Sequence, residues 1–186
     1  MSATAVQPFS GTYRAQPTPS NIAFAVRHSG VFSYRGSLSE VAATLRGDGD
    51  ALTLEGSARV DSISVVEPPA MRASVLGTDF FDAERHPEIT FRSIAIRLAD
   101  DGRAEVDGEL TIRGVTRPVT ASGHYAQPRP SGFGEVAGLQ LQTSFDRRDF
   151  GFEWQKELPG GGDAVGWEVE VDIDLLLKRE DADAEG

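Results

Sequence analysis

VDGELTIRGVTRPVT, residues Val106 to Thr120, alternates apolar and polar side chains on both sides of a short Arg-Gly link. Successive side chains of a strand point to opposite faces. Val106, Leu110 and Ile112, and then Val115 and Val119, therefore share one side of a pleated ribbon. The stretch predicts two half-buried strands joined by a tight turn at Gly114. What those inward residues face decides the function.

The same period extends outward along the chain. Ile22, Phe24, Val26 and His28 fall in phase within SNIAFAVRH, and residues 36–45 alternate less cleanly. Leu52, Leu54, Gly56, Ala58 and Val60 follow a GDGD turn at 47–50 that suits a hairpin. ITFRSIAIRL changes phase between Phe91 and Ile94, as a bulge does. GLQLQTSF and WEVEVDIDLLL supply the last two long strands. Between the strands, Pro68 and Pro69 suit a first helical turn and Gly77 its end, and TDFFDAERHP adds a second short helical turn capped by Thr78 or Asp79. The expected class is all-β, about eight antiparallel strands with a short helical insertion near residues 68–86. A barrel of this strand count leaves no free edge, and a sandwich is the alternative.

A chain of 186 residues that is 39% hydrophobic can bury one sizeable core, so a single domain is expected. Residues 1–9 read as a disordered N-terminus, 10–178 as the barrel and the acidic 179–186 as a disordered tail. The formal charge of -11 opposes attraction to nucleic acid and to anionic bilayers. With no cysteine, disulfides and thiolate chemistry are excluded. No apolar run is long enough for stable membrane insertion. MSATAVQPFSGTY has neither a basic start nor an apolar stretch of signal-peptide length, so a cytoplasmic location is expected, with export the alternative if the chain is a trimmed mature form.

Chemistry-bearing residues are sparse. His28, His86 and His124 lie on separate segments without metal-ligand spacing, so no metal site is expected. His86 reads as a solvated loop residue. His28 alone shares phase with an apolar strand face, either as a hydrogen-bonded structural residue or as a ligand contact. Nucleophile-elbow, phosphate-loop and dinucleotide motifs do not occur, and no cofactor is expected. Glu168, Glu170, Asp172 and Asp174 alternate with Trp167, Val169, Val171 and Ile173, which makes the carboxylates an outer wall. A barrel of this size is either filled or hollow. Gly56, Ala58, Gly108, Ala121 and Gly123 in the inward phase withdraw volume and favour a cavity, or else they permit strand coiling. Phe80, Phe81, Phe91, Phe145, Phe150, Phe152, Trp154 and Trp167 cluster around the helical insertion and the last strands, as core or as cavity wall.

Taken together, IAFAVRHSGVFSYRGSL, DFFDAERHPEITFRS, VDGELTIRGVTRPVT and RRDFGF, in this order, resemble the YceI-like family over about Gly11 to Lys178. The family commonly opens with Trp and Asp where this chain has Tyr13 and QPTPS. MRASVLGTDFF also lacks the polar residues of many relatives, so roles assigned to that helix are not carried over. The resemblance implies an extended, lipocalin-like antiparallel barrel that binds a long-chain isoprenoid or similar amphipathic lipid, polyprenyl phosphate or isoprenoid quinone, for transport, storage or sequestration. Relatives often pair, so a homodimer is implied by analogy alone. The implied ligand-binding residues are Phe24, Val26, His28, Phe32, Met71, Val75, Phe80, Phe81, Phe91, Leu110, Ile112, Phe145, Arg147, Phe150, Phe152, Trp154 and Trp167. Arg147 matches the family's motif arginine, and with Arg113, Arg117 and Arg148 it is a candidate for a charged head group. The alternative for Arg147 is an ion pair with Asp149 or Glu153.

Energetics limit the ligand. At about 0.8 kcal/mol per buried CH₂, a five-carbon isoprene unit contributes about 4 kcal/mol gross. Association costs roughly 4–15 kcal/mol, and micromolar affinity needs about 8 more. Roughly four or more units are therefore required. Two other classes remain at this stage: an enzyme using His28 as acid or base on a lipophilic substrate, and a filled barrel whose outer face binds a protein.

Overall fold

The computed structural model describes residues 7–181. Its strands are β1 (Gly11–Ala15), β2 (Asn21–His28), β3 (Phe32–Leu38), β4 (Val41–Asp48), β5 (Ala51–Arg59), β6 (Glu88–Leu98), β7 (Arg103–Ile112), β8 (Val115–Ser131), β9 (Gly134–Asp146) and β10 (Val165–Arg179). Among the described residues one α-helix, α1 (Pro69–Leu76), and two short 3-10 turns, at Val60–Ser62 and Arg147–Phe150, interrupt them. Neighbours run β1-β4-β5-β6-β7-β8-β9-β10-β2-β3, and β1 also pairs with β10, which closes the sheet.

Ten segments make a barrel of eight strands because two of the eight are broken. β1 and β2 pair in succession along one edge of β10, Tyr13 opposite Arg179 and Asn21 opposite Asp174. β4 and β3 continue the next strand outward, pairing with β1 and β2 respectively. The first break falls at Pro17 and Pro19, which have no N–H to give to a ladder. Its ends are stitched to β10 by the Gln16 N–H donating to the Leu176 carbonyl at 2.8 Å and the Leu176 N–H donating to Ser20 Oγ at 3.2 Å.

The 106–120 ribbon is β7 turning into β8, with Ile112 opposite Val115. Both turn residues are left-handed, Arg113 at φ 53° and Gly114 at φ 73°, the twist a two-residue hairpin needs. The phase change in β6 is a bulge at Ile94, between Ser93 opposite Gly108 and Ala95 opposite Asp107. α1 starts at Pro69 and stops at Gly77 as expected. Residues 78–86 form turns, so the second helical turn is corrected. Asp82 there is left-handed at φ 47°, which interrupts helical geometry. The domain limits also shift. Phe9 is buried edge-on against Tyr13, and Arg179 and Glu180 are still tied to β1, so ordered packing runs past both ends of 10–178. Residues 1–6 and 182–186 lie outside the described residues.

The interior has two different halves. At the end closed by the β4–β5, β6–β7 and β8–β9 turns, Phe9, Tyr13, Leu45, Val106, Leu139 and Leu177 are fully buried in a solid plug. Towards the β2–β3 and β7–β8 turns, inward residues such as Phe24, Val26, Phe91, Leu110, Phe145, Val169 and Val171 are only half-buried. Their uncovered surface faces a hollow.

Candidate functional site: an apolar hollow in the barrel

The hollow has a volume of about 290 Å³, at the lower end of the roughly 300–1,000 Å³ usual for ligand pockets. Alternation builds its wall, because every second residue of β2, β6, β7, β8, β9 and β10 points in. Thirteen of the residues expected from the sequence line it: Phe24, Val26, His28, Met71, Val75, Phe80, Phe81, Phe91, Leu110, Ile112, Phe145, Arg147 and Phe152. Four do not. Phe32 lies outside, stacked on the His28 ring at 5.1 Å. Phe150 is fully buried in a satellite core with Ile112 and Phe152. Trp154 backs Phe80 at 5.3 Å, and Trp167 is covered by the guanidinium groups of Arg147 and Arg148 at 4.2 and 4.8 Å. β10 passes through an irregular register between Val165 and Val169, and that takes Trp167 out of the inward phase.

Sequence reasoning about the site missed Ile22, Tyr34, Leu38, Ile63, Val65 and Ile89, all on the wall. Ile22 and Ile89 share the alternation phase of residues already chosen, so that signal was present. Ile63 and Val65 lie in the irregular connection into α1, where no period marks them.

The small inward residues do not all act alike. Gly56, Ala58 and Ala121 do border the hollow. Gly108 does not enlarge it, because the Phe91 ring lies over it: an added Cβ would sit 2.3 Å from Phe91 Cζ. Gly123 lets the β9 backbone approach, with a Cβ there only 2.0 Å from the Gln140 carbonyl oxygen. Phe91 thus leans towards β7 and away from Gly56, where a Cβ would meet only ordinary contacts at 3.4 Å or more.

The side chains expected to meet a charged head group are engaged elsewhere. Arg147 makes neither expected ion pair. It donates from Nε to the Gly166 carbonyl at 2.9 Å, from Nη1 to Trp154 at 3.0 Å and from Nη2 to Val165 at 3.2 Å. Burial pulls its pKa below the usual guanidinium value. It is a latch holding residues 154–166 against the end of β9. Arg113 donates to the carbonyls of Gly151 and Thr78, at 3.1 and 2.6 Å. Arg148 pairs with Asp146, and Arg117 donates to its neighbour's carbonyl. His28 Nδ1 shares a 3.0 Å hydrogen bond with Ser29 Oγ. Thr143 on the wall donates to the Thr120 carbonyl at 2.9 Å. His86 packs on Gly114, half-buried and less solvated than expected, and His124 is exposed on the outer face. Among the described residues no three His, Asp or Glu side chains converge as metal ligands.

The wall is open on one side. Beyond the bridge from Leu38 to Ile63, β3 has a strand beside it only at β2, and its other edge carries no ladder. Met71, on the wall and exposed, and the half-buried His28 mark this mouth.

Comparison with known proteins gives concordant relatives. The YceI-like domain family matches residues 13–177. A UPF0312 protein of Pseudomonas putida is 30% identical over 102 residues, 54% of this chain and 50% of the relative. The match thus spans about half the length of such curated relatives. A UPF0312 protein of Staphylococcus aureus is 25% identical over 157 residues, 82% of this chain and 89% of the relative. Among solved structures, Burkholderia cenocepacia BcnA superposes with a TM-score of 0.72 at 22% identity, covering 87% of this chain and 98% of that one. A polyisoprenoid binding domain from Saccharophagus degradans superposes with a TM-score of 0.67 at 12% identity, covering 90% and 98%. Both show the same barrel.

Proposed function

This chain belongs to the YceI-like domain family, and from that premise we propose that its barrel binds the chain of a long isoprenoid in the apolar hollow, as a carrier or store of that lipid and not as an enzyme. One observation carries the reading. Inward aromatic and aliphatic side chains surround unfilled space in one half of the barrel while the other half is solid, so the hollow is a local feature of this wall and not loose packing throughout. A similar barrel, the Saccharophagus degradans domain, is described as polyisoprenoid binding, which supports the ligand class.

The engaged arginines refine the ligand. Arg147, Arg113 and Arg148 spend their donors on main-chain carbonyls or a carboxylate. A diphosphate within the hollow would lose its hydration for no compensating bonds. We therefore favour an isoprenoid with an uncharged polar end, such as a quinone or alcohol, whose head rests at the mouth near His28. Native mass spectrometry of freshly purified protein, followed by organic extraction, tests this. A stoichiometric uncharged polyisoprenoid is expected. Protein that stays empty, and takes up no long-chain polyprenol when offered it, overturns the reading.

A further inference from the structure

The mouth carries a second feature that lipid binding alone does not explain. The tip of the β2–β3 hairpin is turned by two left-handed residues, Ser29 at φ 51° and Gly30 at φ 67°, and projects Val31, 77% exposed, and Phe32, 50% exposed. Across the opening, the segment leading into α1 presents Val66 at 58% exposure and the first turn of α1 presents Met71 at 37%. Exposed apolar groups in a cluster, unlike single ones, mark a contact surface. This cluster is continuous with the hollow, since Met71 belongs to both and Phe32 covers the ring of His28, which lines it.

Charge singles out the same end. Segments 27–35, 59–88, 112–118 and 146–166 form the mouth end, and they hold ten Lys/Arg and eleven Asp/Glu. Elsewhere in residues 7–181 there are eight Lys/Arg and sixteen Asp/Glu. The hairpin stretch 21–39 has Arg27 and Arg35 and no carboxylate at all. The acidic excess thus lies on the wall and the plugged end, while the apolar rim sits on a nearly neutral surface.

We propose that this rim docks reversibly on a lipid bilayer, Val31, Phe32 and Val66 entering the interfacial region of a zwitterionic surface with the mouth turned towards the membrane. A few partly inserted side chains without a polybasic patch give weak, reversible attachment. The acidic remainder of the molecule, repelled by anionic head groups, stays on the aqueous side. An isoprenoid chain would then pass between bilayer and barrel without crossing water. Docking goes beyond the cargo reading, and the two can fail separately.

The chain has no cysteine, so one introduced thiol gives a single label. An environment-sensitive fluorophore is attached to Val31→Cys and, separately, to Phe133→Cys, an 82% exposed position at the opposite end. Both proteins are titrated with phosphatidylcholine vesicles. The dye at 31 is expected to shift to the blue and the dye at 133 is not. Adding Phe32→Ser and Val66→Ser to the Val31 variant is expected to weaken vesicle binding by about tenfold or more. No shift at 31, or equal shifts at both positions, overturns the proposal. So does a shift that grows with protein concentration in the absence of vesicles, because a second copy then covers the rim. The dye reports the bilayer whether or not the barrel holds lipid. Protein that carries lipid but shows no shift loses only the docking, and protein that shifts but never binds lipid loses only the cargo.

Discussion

Replacing Gly56 with leucine should separate a hollow barrel from a filled one, because the two predict opposite signs. Gly56 lies in β5 opposite Ala43 and Phe91, on the wall of the hollow. Its nearest prospective neighbours are the Ala42 carbonyl oxygen at 3.4 Å and Ala43 Cβ at 3.8 Å, and the Phe91 ring has moved off towards Gly108. Leucine adds four carbons pointing inward. A bound lipid loses room for a similar number, which at about 0.8 kcal/mol per CH₂ removes about 3 kcal/mol and weakens binding by roughly 200-fold. The empty protein gains: burying the leucine side chain contributes about 1.5–3 kcal/mol, and loss of a mid-strand glycine adds a few tenths or more. At 2–4 °C per kcal/mol for a chain of this size, Tm should rise by about 4 °C or more. In a filled interior the same change would overpack the core and cost roughly 1–3 kcal/mol. Affinity is measured by partition of a labelled long-chain polyprenol between detergent micelles and protein, and stability by urea and thermal unfolding. A destabilised variant, or one that binds as tightly as the parent, refutes the account of the hollow.

Other expectations follow from individual groups. Arg147→Lys keeps a charge but loses the planar fork whose three nitrogens reach the separate carbonyls of Trp154, Val165 and Gly166, which one ammonium nitrogen does not span. A loss of about 2–4 kcal/mol in urea unfolding is expected, and unchanged stability would mean that the latch holds nothing. Tyr13 has its pKa pushed up to about 12, first by burial and then by donating to Glu135. Its folded pKa lies above the unfolded one, so the folded state keeps a proton the unfolded state gives up, and stability is full below about pH 10 and falls until about pH 12. The loss is at most about 3 kcal/mol, and Tyr13→Phe should remove that part of the alkaline slope in pH-dependent unfolding. Affinity across a series of prenols should rise steeply with chain length and then level once the hollow is full. A flat series, or a preference for the diphosphate over the alcohol at equal length, would contradict a site that grips the chain alone.

Much of the wall was readable because alternation is a local property of strands. The 106–120 ribbon, the 47–50 turn, the Ile94 bulge and α1 each follow from residues adjacent in the chain, through side-chain period, left-handed turn positions and proline's missing N–H. The inward phase of Phe24, Val26, Leu110 and Phe145 follows from the same rule. Only the tertiary structure joined β1 to β2, and β4 to β3, as single broken strands, because that depends on their common neighbours and not on their own sequences. Nor could small residues reveal where the space is. The room vacated at Gly108 is taken by Phe91 from the adjacent strand, while that at Gly56 stays open, and a side chain's choice between two neighbours is set by packing across strands. Arg147 was recognised, but its partners were not. They are main-chain carbonyls, which every residue carries, and no pattern of side chains marks which of them folding will bring to a guanidinium.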